Sequence, residues 1–386
     1  MKRNLVTDRC LILLACMLMT FVLGSVHSFS VFLVPLEQRL DLPRSDISLI
    51  YSWALVAITF SVLVGYRVYA RLDAWIMLLL IGALAALGLS LTVSATSWWH
   101  WFIGYSGLFG LANGMGYGYC LQLVGHELSR IKGFAMGAVT ASYALGSILF
   151  AKVFAWRIGA AGVESALLAL MYMVMICSVV AALFLWWSRS RFPDQSHQPE
   201  TVGSPGKIFQ FWFAYFCSVF AGLMAIGHAA GMVLWKELGI AQATLGAMMI
   251  GVGSASGGFL AGWMIDRWSI SRFLVGLPLL AAVAMLFLLL TSDIDGVILL
   301  LSVIGFSYGS IIAVYPVAIS RYFADAGPRV YGRVFTAWGV AGLSAPWFAG
   351  LIFDVSGSYA SALILAALIS LVSAASAAIC RFDNAV

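Results

Sequence analysis

The sequence predicts an all-α membrane protein with twelve transmembrane helices in two pseudo-symmetric six-helix bundles. Hydrophobic residues make up 62% of the 386-residue chain, charged residues make up 10%, and the mean hydropathy is +1.00. A soluble domain of this length needs a far more charged surface. A helix needs about 20 apolar residues to cross a bilayer, and such runs follow one another along this chain, so little of it is left for a soluble domain.

Twelve apolar runs are long enough to cross a membrane, and short polar segments separate them. The predicted spans, numbered 1 to 12, are residues 10–36, 47–69, 75–95, 98–123, 134–155, 164–187, 209–235, 244–265, 273–291, 296–319, 332–353 and 358–379.

The N-terminus resembles a lipoprotein cleavage signal, because a basic start precedes Leu13-Leu14-Ala15-Cys16. The apolar run continues well beyond Cys16, whereas that of a signal peptide ends after about 7–15 residues. We therefore expect an uncleaved first helix. All six cysteines lie in or at the ends of spans, so we expect no disulfide framework.

Basic residues predict a topology with both termini in the cytoplasm. With this orientation, 16 of the 21 lysines and arginines lie on the inner side, and five lie outside: Arg39, Arg44, Lys152, Arg157 and Lys236. This asymmetry follows the positive-inside rule over short loops. The net charge of +5 is therefore explained by this topology rather than by a nucleic-acid partner. We expect a multi-pass protein of the cell membrane, a bacterial inner membrane.

The longest polar stretch, residues 188–207, is rich in proline, glycine and charge and predicts a flexible cytoplasmic linker. It divides the chain into an N-terminal six-helix bundle (1–187) and a C-terminal six-helix bundle (208–386). The halves also repeat, since GYRVYARLD and GWMIDRWSISR each follow the second span of a half. Parallel six-helix repeats of this kind predict a substrate site near the bilayer midplane.

The loop GWMIDRWSISR contains a glycine, an aspartate–arginine pair and a further basic residue: Gly262, Asp266, Arg267 and Arg272. It resembles the signature loop of the major facilitator superfamily, between the second and third helices of each half. The resemblance implies the superfamily's twelve-helix fold and a gating role for these residues, which lock the cytoplasmic helix ends in one state and release them in the other. The first-half copy is degraded, with Tyr69 at the aspartate position. A loop that is basic only because it is cytoplasmic is the alternative.

Two histidines lie deep in predicted spans, where ionisable residues are costly and usually functional. His27 is in span 1 and His228 is in span 7, the equivalent helix of the second half. Because the resemblance implies that helices 1 and 7 line the cavity, we expect both imidazoles to contact the substrate. The alternative is a buried histidine that is hydrogen-bonded to neighbouring backbone or serine.

Polar aromatic residues gather in the spans that we expect to line the cavity. A ring with one polar atom suits a site that must orient and then release a small organic ligand. Interface belts also collect such residues, and they account better for the tryptophans at span ends. The predicted substrate contacts, besides the histidines, are Tyr51, Tyr119, Tyr143, Tyr308 and Trp338.

The segments 27–40 and 315–363 resemble the oxalate/formate antiporter and monocarboxylate-transporter-like branch of the superfamily. This resemblance implies import or exchange of a small carboxylate by alternating access. Members that clamp a dianion use a cation in helix 8 and a lysine in helix 11, but span 8 here has no charge and span 11 has no lysine. We therefore predict a monoanion, with His27 and His228 as donors and with protons as a coupling ion that histidine can carry.

Soft-metal transport is one alternative function. Cys217, Met224, His228 and Met232 share one face of span 7 and have the thiol, thioether and imidazole groups that bind Cu(I). Methionine also fills apolar gaps without any metal.

Other functions fit the sequence less well. Ser256 with His228 superficially resembles a protease dyad, but the duplicated twelve-helix layout is wrong for one, so we predict no enzyme. Export of drugs or metabolites is a further alternative. The resemblance to the superfamily implies that exporters of cationic drugs often carry a membrane-embedded acid, and no candidate is visible. We predict a secondary active transporter for a small organic anion, a monocarboxylate, with no cofactor and no nucleic-acid partner. It is expected to function as a monomer among membrane lipids, by proton coupling or by exchange.

Overall fold

The structure is a computed structural model that describes residues 5–69, 71–190, 204–265, 267–323 and 327–380. Within these ranges, all regular secondary structure is helical. The predicted all-α class is therefore confirmed.

In the first half of the chain, the described residues form six membrane-length helices, several of them irregular. Helix α1 is Leu5–Leu23, continued by a 3-10 segment, Gly24–Val31, and a short α-helix, Leu33–Leu40. Helices α2 and α3 are Arg44–Tyr69 and Ala74–Val93. Helix α4 is Trp98–Trp101, a π-helical segment Phe102–Phe109, and Gly110–Glu127. Helices α5 (132–160) and α6 (163–188) form the run Lys132–Ser188, which is broken at Ala161 and Gly162.

The second half contains six helices. They are α7 (Pro205–Trp235), α8 (Ile240–Met264), α9 (Ile270–Leu290), α10 (Ile294–Phe323), α11 (Gly327–Ser356) and α12 (Ala360–Cys380).

Ten helices of the described residues are long and apolar enough to cross a membrane. That number counts α5 and α6 together as Phe134–Ser188 and leaves out α4, which is divided into three segments. Counting α5 and α6 separately adds one helix, and counting α4 adds another, which gives twelve, the number of predicted spans. The chain is a multi-pass membrane protein.

The interruption of α1 has a local cause in its sequence. The segment GSVHSFSV contains a glycine, three serines and two valines, all of which form α-helix less readily than alanine or leucine. Gly24 is also held against α5, since a Cβ there would lie 1.9 Å from the carbonyl oxygen of Tyr143. This 3-10 segment carries His27.

The helices form two compact units, and the chain changes unit inside α1 and α2. One unit contains the residues up to Val26 and those from Trp53 to the end of α6; the other contains His27–Ser52 and helices α7 to α12. The ends of α1 and α2 that flank their connection therefore pack with the second half of the chain. The predicted linker (188–207) lies largely outside the described residues, so the division into bundles at that point stays a prediction.

Helices α8 and α10 approach closely through glycines. A Cβ on Gly253 would lie 1.9 Å from the carbonyl oxygen of Ser302, and one on Gly309 would lie 1.9 Å from that of Ser254. No side chain fits at these contacts without moving a backbone.

We predict that Gly309→Ala lowers the stability of the protein by about 1–3 kcal/mol, the usual cost of overpacking. Gly276→Ala is the matched control, because a Cβ at Gly276 meets no atom within 4 Å. That control should leave the stability unchanged or raise it by up to about 1 kcal/mol, because alanine has a higher helix propensity than glycine. Thermal melting of both variants in detergent measures the difference, and equal melting temperatures would contradict the tight α8–α10 contact.

Candidate functional site

Four of the predicted substrate contacts form one connected group, which we call the His27 cluster: His27, Tyr51, Tyr308 and Trp338. His27 is half-buried, and its Nδ1 lies 2.8 Å from the Tyr51 hydroxyl of α2. The rings of His27 and Trp338, on α11, pack in an edge-to-face arrangement with their centroids 6.5 Å apart. Trp338 Nε1 in turn donates a 2.9 Å hydrogen bond to the Tyr308 hydroxyl on α10. The cluster thus joins α1, α2, α10 and α11.

Further aromatic rings extend the His27 cluster. Phe29 stacks on Tyr51, with centroids 5.5 Å apart and planes 12° apart. Phe335 stacks in the same way on Trp338, with centroids 5.4 Å apart. The polar atoms of an imidazole, two phenols and an indole are therefore set among aromatic faces, an arrangement that can orient a small organic molecule.

His228 lies in a different environment, in which protein groups bind both of its ring nitrogens. The residue is fully buried on α7. Its Nε2 lies 2.7 Å from the carbonyl oxygen of Pro346 and 3.2 Å from Ser48 Oγ, and its Nδ1 lies 2.8 Å from the Tyr359 hydroxyl. This is the alternative considered from the sequence, a satisfied buried histidine. A role for His228 in binding substrate directly stays a prediction.

The partners of His228 determine which ring nitrogen carries the proton. A carbonyl oxygen only accepts, so Nε2 must donate to Pro346. The Tyr359 hydroxyl accepts a hydrogen bond from Arg44 Nη1 at 3.2 Å, which leaves its own proton to donate to Nδ1 of His228. These bonds are satisfied by a neutral imidazole protonated at Nε2.

Arg44, the first residue of α2, is the centre of a second group, the Arg44 network: Glu37, Arg44, His228, Phe353 and Tyr359. The Arg44 side chain is only 9% exposed. Its guanidinium binds both carboxylate oxygens of Glu37, through Nε and, at 2.8 Å, through Nη2. Its flat face lies on the Phe353 ring, with 3.7 Å from Cζ to the centroid. Every side of this cation is therefore in contact with a protein group that suits it.

Asp354 of α11 caps the same end of α2. Its two carboxylate oxygens accept hydrogen bonds from the backbone N–H groups of Arg44 and Ser45, each at 2.8 Å. A carboxylate at a helix N-terminus satisfies unpaired donors and interacts favourably with the helix dipole. Gly350 permits the contact, because a Cβ there would lie 2.8 Å from Ser45 Cα.

Tyr119 and Tyr143 lie in the other compact unit. Tyr119 is buried and packs against Tyr69, with ring centroids 5.2 Å apart. Tyr143 donates a 2.8 Å hydrogen bond to Asn113 Oδ1, and Asn113 Nδ2 donates to the carbonyl oxygen of Leu23 at 2.6 Å. Their assignment to the substrate stays a prediction.

Three of the predicted gating residues are among the described residues: Gly262 lies near the end of α8, Arg267 follows it, and Arg272 lies in the first turn of α9. Gly262, Arg267 and Arg272 are exposed, and Arg267 packs over Trp263, with 4.0 Å from its Cζ to the ring centroid. Asp266 lies outside the described residues. The aspartate–arginine lock therefore stays a prediction.

The geometry of α7 does not favour the copper alternative. Cys217 is eleven residues from His228, about 16 Å along a helix, so the two cannot share one metal ion. Met224 and Met232 flank His228, but both imidazole nitrogens already have protein partners. In the described part of the chain, no group of three or more His, Cys, Asp or Glu side chains is placed to hold a metal ion.

Sequence reasoning missed four polar residues that the structure makes prominent: Glu37, Arg44, Asn113 and Tyr359. Asn113 could have been found, since it is an amide inside a predicted span. Arg44 entered only as one of the five outer basic residues, because nothing in the sequence places it beside α11 and α12.

Comparisons with known proteins agree with this fold. Residues 211–385 match the family model described as Major Facilitator Superfamily. The uncharacterized MFS-type transporter YhjX of Escherichia coli (strain K12) is 23% identical over 363 residues, 88% of this chain and 87% of that protein. Monocarboxylate transporter 13 of Bos taurus is 24% identical over 362 residues, 89% of this chain and 82% of that protein.

A solved structure shows the same architecture. A bacterial homolog to human lysosomal transporter Spinster, in an inward-facing and occupied conformation, superposes with a TM-score of 0.73 at 12% identity. The superposition covers 97% of this chain and 96% of that one. The twelve-helix fold and the resemblance to transporters of this superfamily, both predicted from the sequence, are confirmed.

We predict that His228→Ala destabilises the protein, because it removes the acceptor of the Tyr359 O–H and the imidazole donor to the Pro346 carbonyl. Each buried unpaired group costs about 1–3 kcal/mol. His100→Ala is the control, since His100 is exposed and bonds Ser97; such a surface change usually stays within about 0.5 kcal/mol. Thermal melting in detergent compares the two variants. If both melt like the wild type, the hydrogen bonds of His228 do not hold this part of the fold together.

Proposed function

We propose that this transporter of the major facilitator superfamily moves a small organic anion, a monocarboxylate, across the cytoplasmic membrane by alternating access. The observation that supports this best is the His27 cluster, in which His27 bonds Tyr51 at 2.8 Å and Trp338 bonds Tyr308 at 2.9 Å. Similarity to a protein named monocarboxylate transporter 13 supports the same substrate class.

In the proposed mechanism, the His27 cluster recognises both parts of a monocarboxylate. Imidazole, phenol and indole groups donate hydrogen bonds to the carboxylate oxygens. The faces of the stacked Phe29–Tyr51 and Phe335–Trp338 pairs contact the carbon skeleton. Because imidazole gains and loses a proton near neutral pH, His27 is also the proposed carrier of a coupled proton.

The orientation and the gate belong to the same proposal. The excess of inner basic residues, 16 of 21, favours cytoplasmic termini. The proposal places the protein in a bacterial inner membrane. Gly262, Asp266, Arg267 and Arg272 would then lie at the cytoplasmic ends of the helices, where an aspartate–arginine lock alternates with an open state.

Transport into proteoliposomes tests the proposal. We expect the wild type to accumulate labelled lactate, pyruvate or benzoate faster than oxalate, Cu(I) or a cationic dye. His27→Ala should lower the uptake by roughly tenfold or more, since a lost charge-assisted hydrogen bond is worth about 1.5–3 kcal/mol. His100→Ala, which changes an exposed histidine, should leave uptake unchanged.

The same vesicles separate the two coupling modes. A proton-coupled carrier responds to an imposed pH gradient and loses accumulation with a protonophore. An exchanger instead requires internal carboxylate and ignores the protonophore. Uptake of Cu(I) or a dye in place of every carboxylate would contradict the proposed substrate class.

A further inference from the structure

The Arg44 network contains a buried cation that has no role in the function proposed for the His27 cluster. Among the lysine, arginine, aspartate and glutamate side chains whose exposure the structure describes, Arg44 alone is buried. An anion that leaves water needs a compensating positive charge, because burial of an isolated charge costs many kcal/mol. Arg44 is the residue best placed to supply it.

The surroundings of Arg44 are those of a binding site for a carboxylate. The Nε and Nη2 edge of the guanidinium takes both oxygens of one carboxylate, the two-point geometry that distinguishes arginine from lysine. Phe353 supports the flat face at 3.7 Å, and Tyr359 holds Nη1 at 3.2 Å. His228 holds Tyr359 in turn, so the edge that faces Glu37 is rigidly positioned.

We infer that Arg44 is a carboxylate-binding residue of the transporter, which Glu37 occupies in this structure and from which the transported anion displaces Glu37. The inference rests on the proposed function, since it concerns the same substrate class. In this account Glu37 acts as an internal competitor, and His228 and Tyr359 are positioning residues for Arg44.

Two features favour exchange of Glu37 for a ligand over a permanent ion pair. The Glu37 side chain is 19% exposed, about twice as much as Arg44, so its carboxylate can turn into water while the arginine stays. Glu37 also sits on the short helix Leu33–Leu40, which follows the 3-10 segment of α1. Replacing one carboxylate by another leaves the charge around Arg44 unchanged, so the exchange needs no new buried charge.

Asp354 is not part of this exchange. Its two oxygens bind the backbone N–H groups of Arg44 and Ser45, not the guanidinium. It keeps the start of α2 in place whether Glu37 or a ligand occupies the arginine.

Direct binding to the purified full-length protein in detergent tests the inference, with labelled lactate and benzoate as probes and with lactamide and benzamide as uncharged competitors. Glu37→Gln removes the internal competitor and should lower the Kd of the carboxylates by roughly tenfold, as expected for loss of a tethered rival. The amides should not compete. Arg39→Gln, at an exposed position on the same short helix, is the matched control and should not change the Kd.

A double variant keeps the test decisive if single changes at Arg44 prevent folding. Breaking a buried pair strands a charge, whereas replacing both partners is often tolerated. Glu37→Gln with Arg44→Gln should therefore melt near the wild-type temperature yet bind the carboxylates at least roughly tenfold more weakly than the wild type, since a hydrogen bond to a charged group is worth about 1.5–3 kcal/mol. Normal binding by this folded double variant would overturn the inference.

The inference and the proposed function fail in different ways. If Glu37→Gln leaves the Kd unchanged while His27→Ala raises it, carboxylates bind at the His27 cluster without Arg44; the inference is then wrong and the proposed function stands. If the wild type neither binds nor transports any of the carboxylates, the proposed function is wrong and the inference falls with it.

Discussion

The burial of one guanidinium, that of Arg44, ties together four segments of the second compact unit. A cation that is 9% exposed in an apolar protein must have its charge and its donors satisfied. Glu37 supplies the opposite charge, and the Phe353 ring packs on the flat face of the guanidinium. The Tyr359 hydroxyl accepts a hydrogen bond from it. Each partner comes from a different segment, so one side chain fixes the short helix after α1, the start of α2, the end of α11 and the start of α12.

The hydrogen bonds of His228 follow from this constraint. Because Arg44 can only donate, the Tyr359 hydroxyl must accept from it and donate to His228. The ring must then donate from Nε2 to Pro346. The charges balance in a similar way: the carboxylates of Glu37 and Asp354 face a guanidinium and the positive end of α2. Hydrogen bonds thus connect His228 of α7 to the Glu37 carboxylate through two side chains, those of Tyr359 and Arg44.

The sequence predicted the architecture well because hydropathy reports burial in lipid directly. It also named the four members of the His27 cluster as substrate contacts, because histidine, tyrosine and tryptophan combine a ring with a polar atom; their role in binding substrate stays a prediction. It could not predict the environment of His228, whose partners Pro346 and Tyr359 lie 118 and 131 residues away. The count of basic residues placed Arg44 in an outer loop. The arginine is buried only by the packing of α2 against α11 and α12, which the sequence does not show.

A distance measurement on the bound ligand tests the central claim most directly. In lipid bilayers, solid-state NMR can detect coupling between a ¹³C-labelled lactate or benzoate carboxylate and the ¹⁵N-labelled side chains of arginine and histidine. The account predicts strong coupling to one arginine in Glu37→Gln protein and none when Arg44 is also changed to glutamine. Coupling to histidine nitrogens alone, with no arginine signal in any variant, would contradict it.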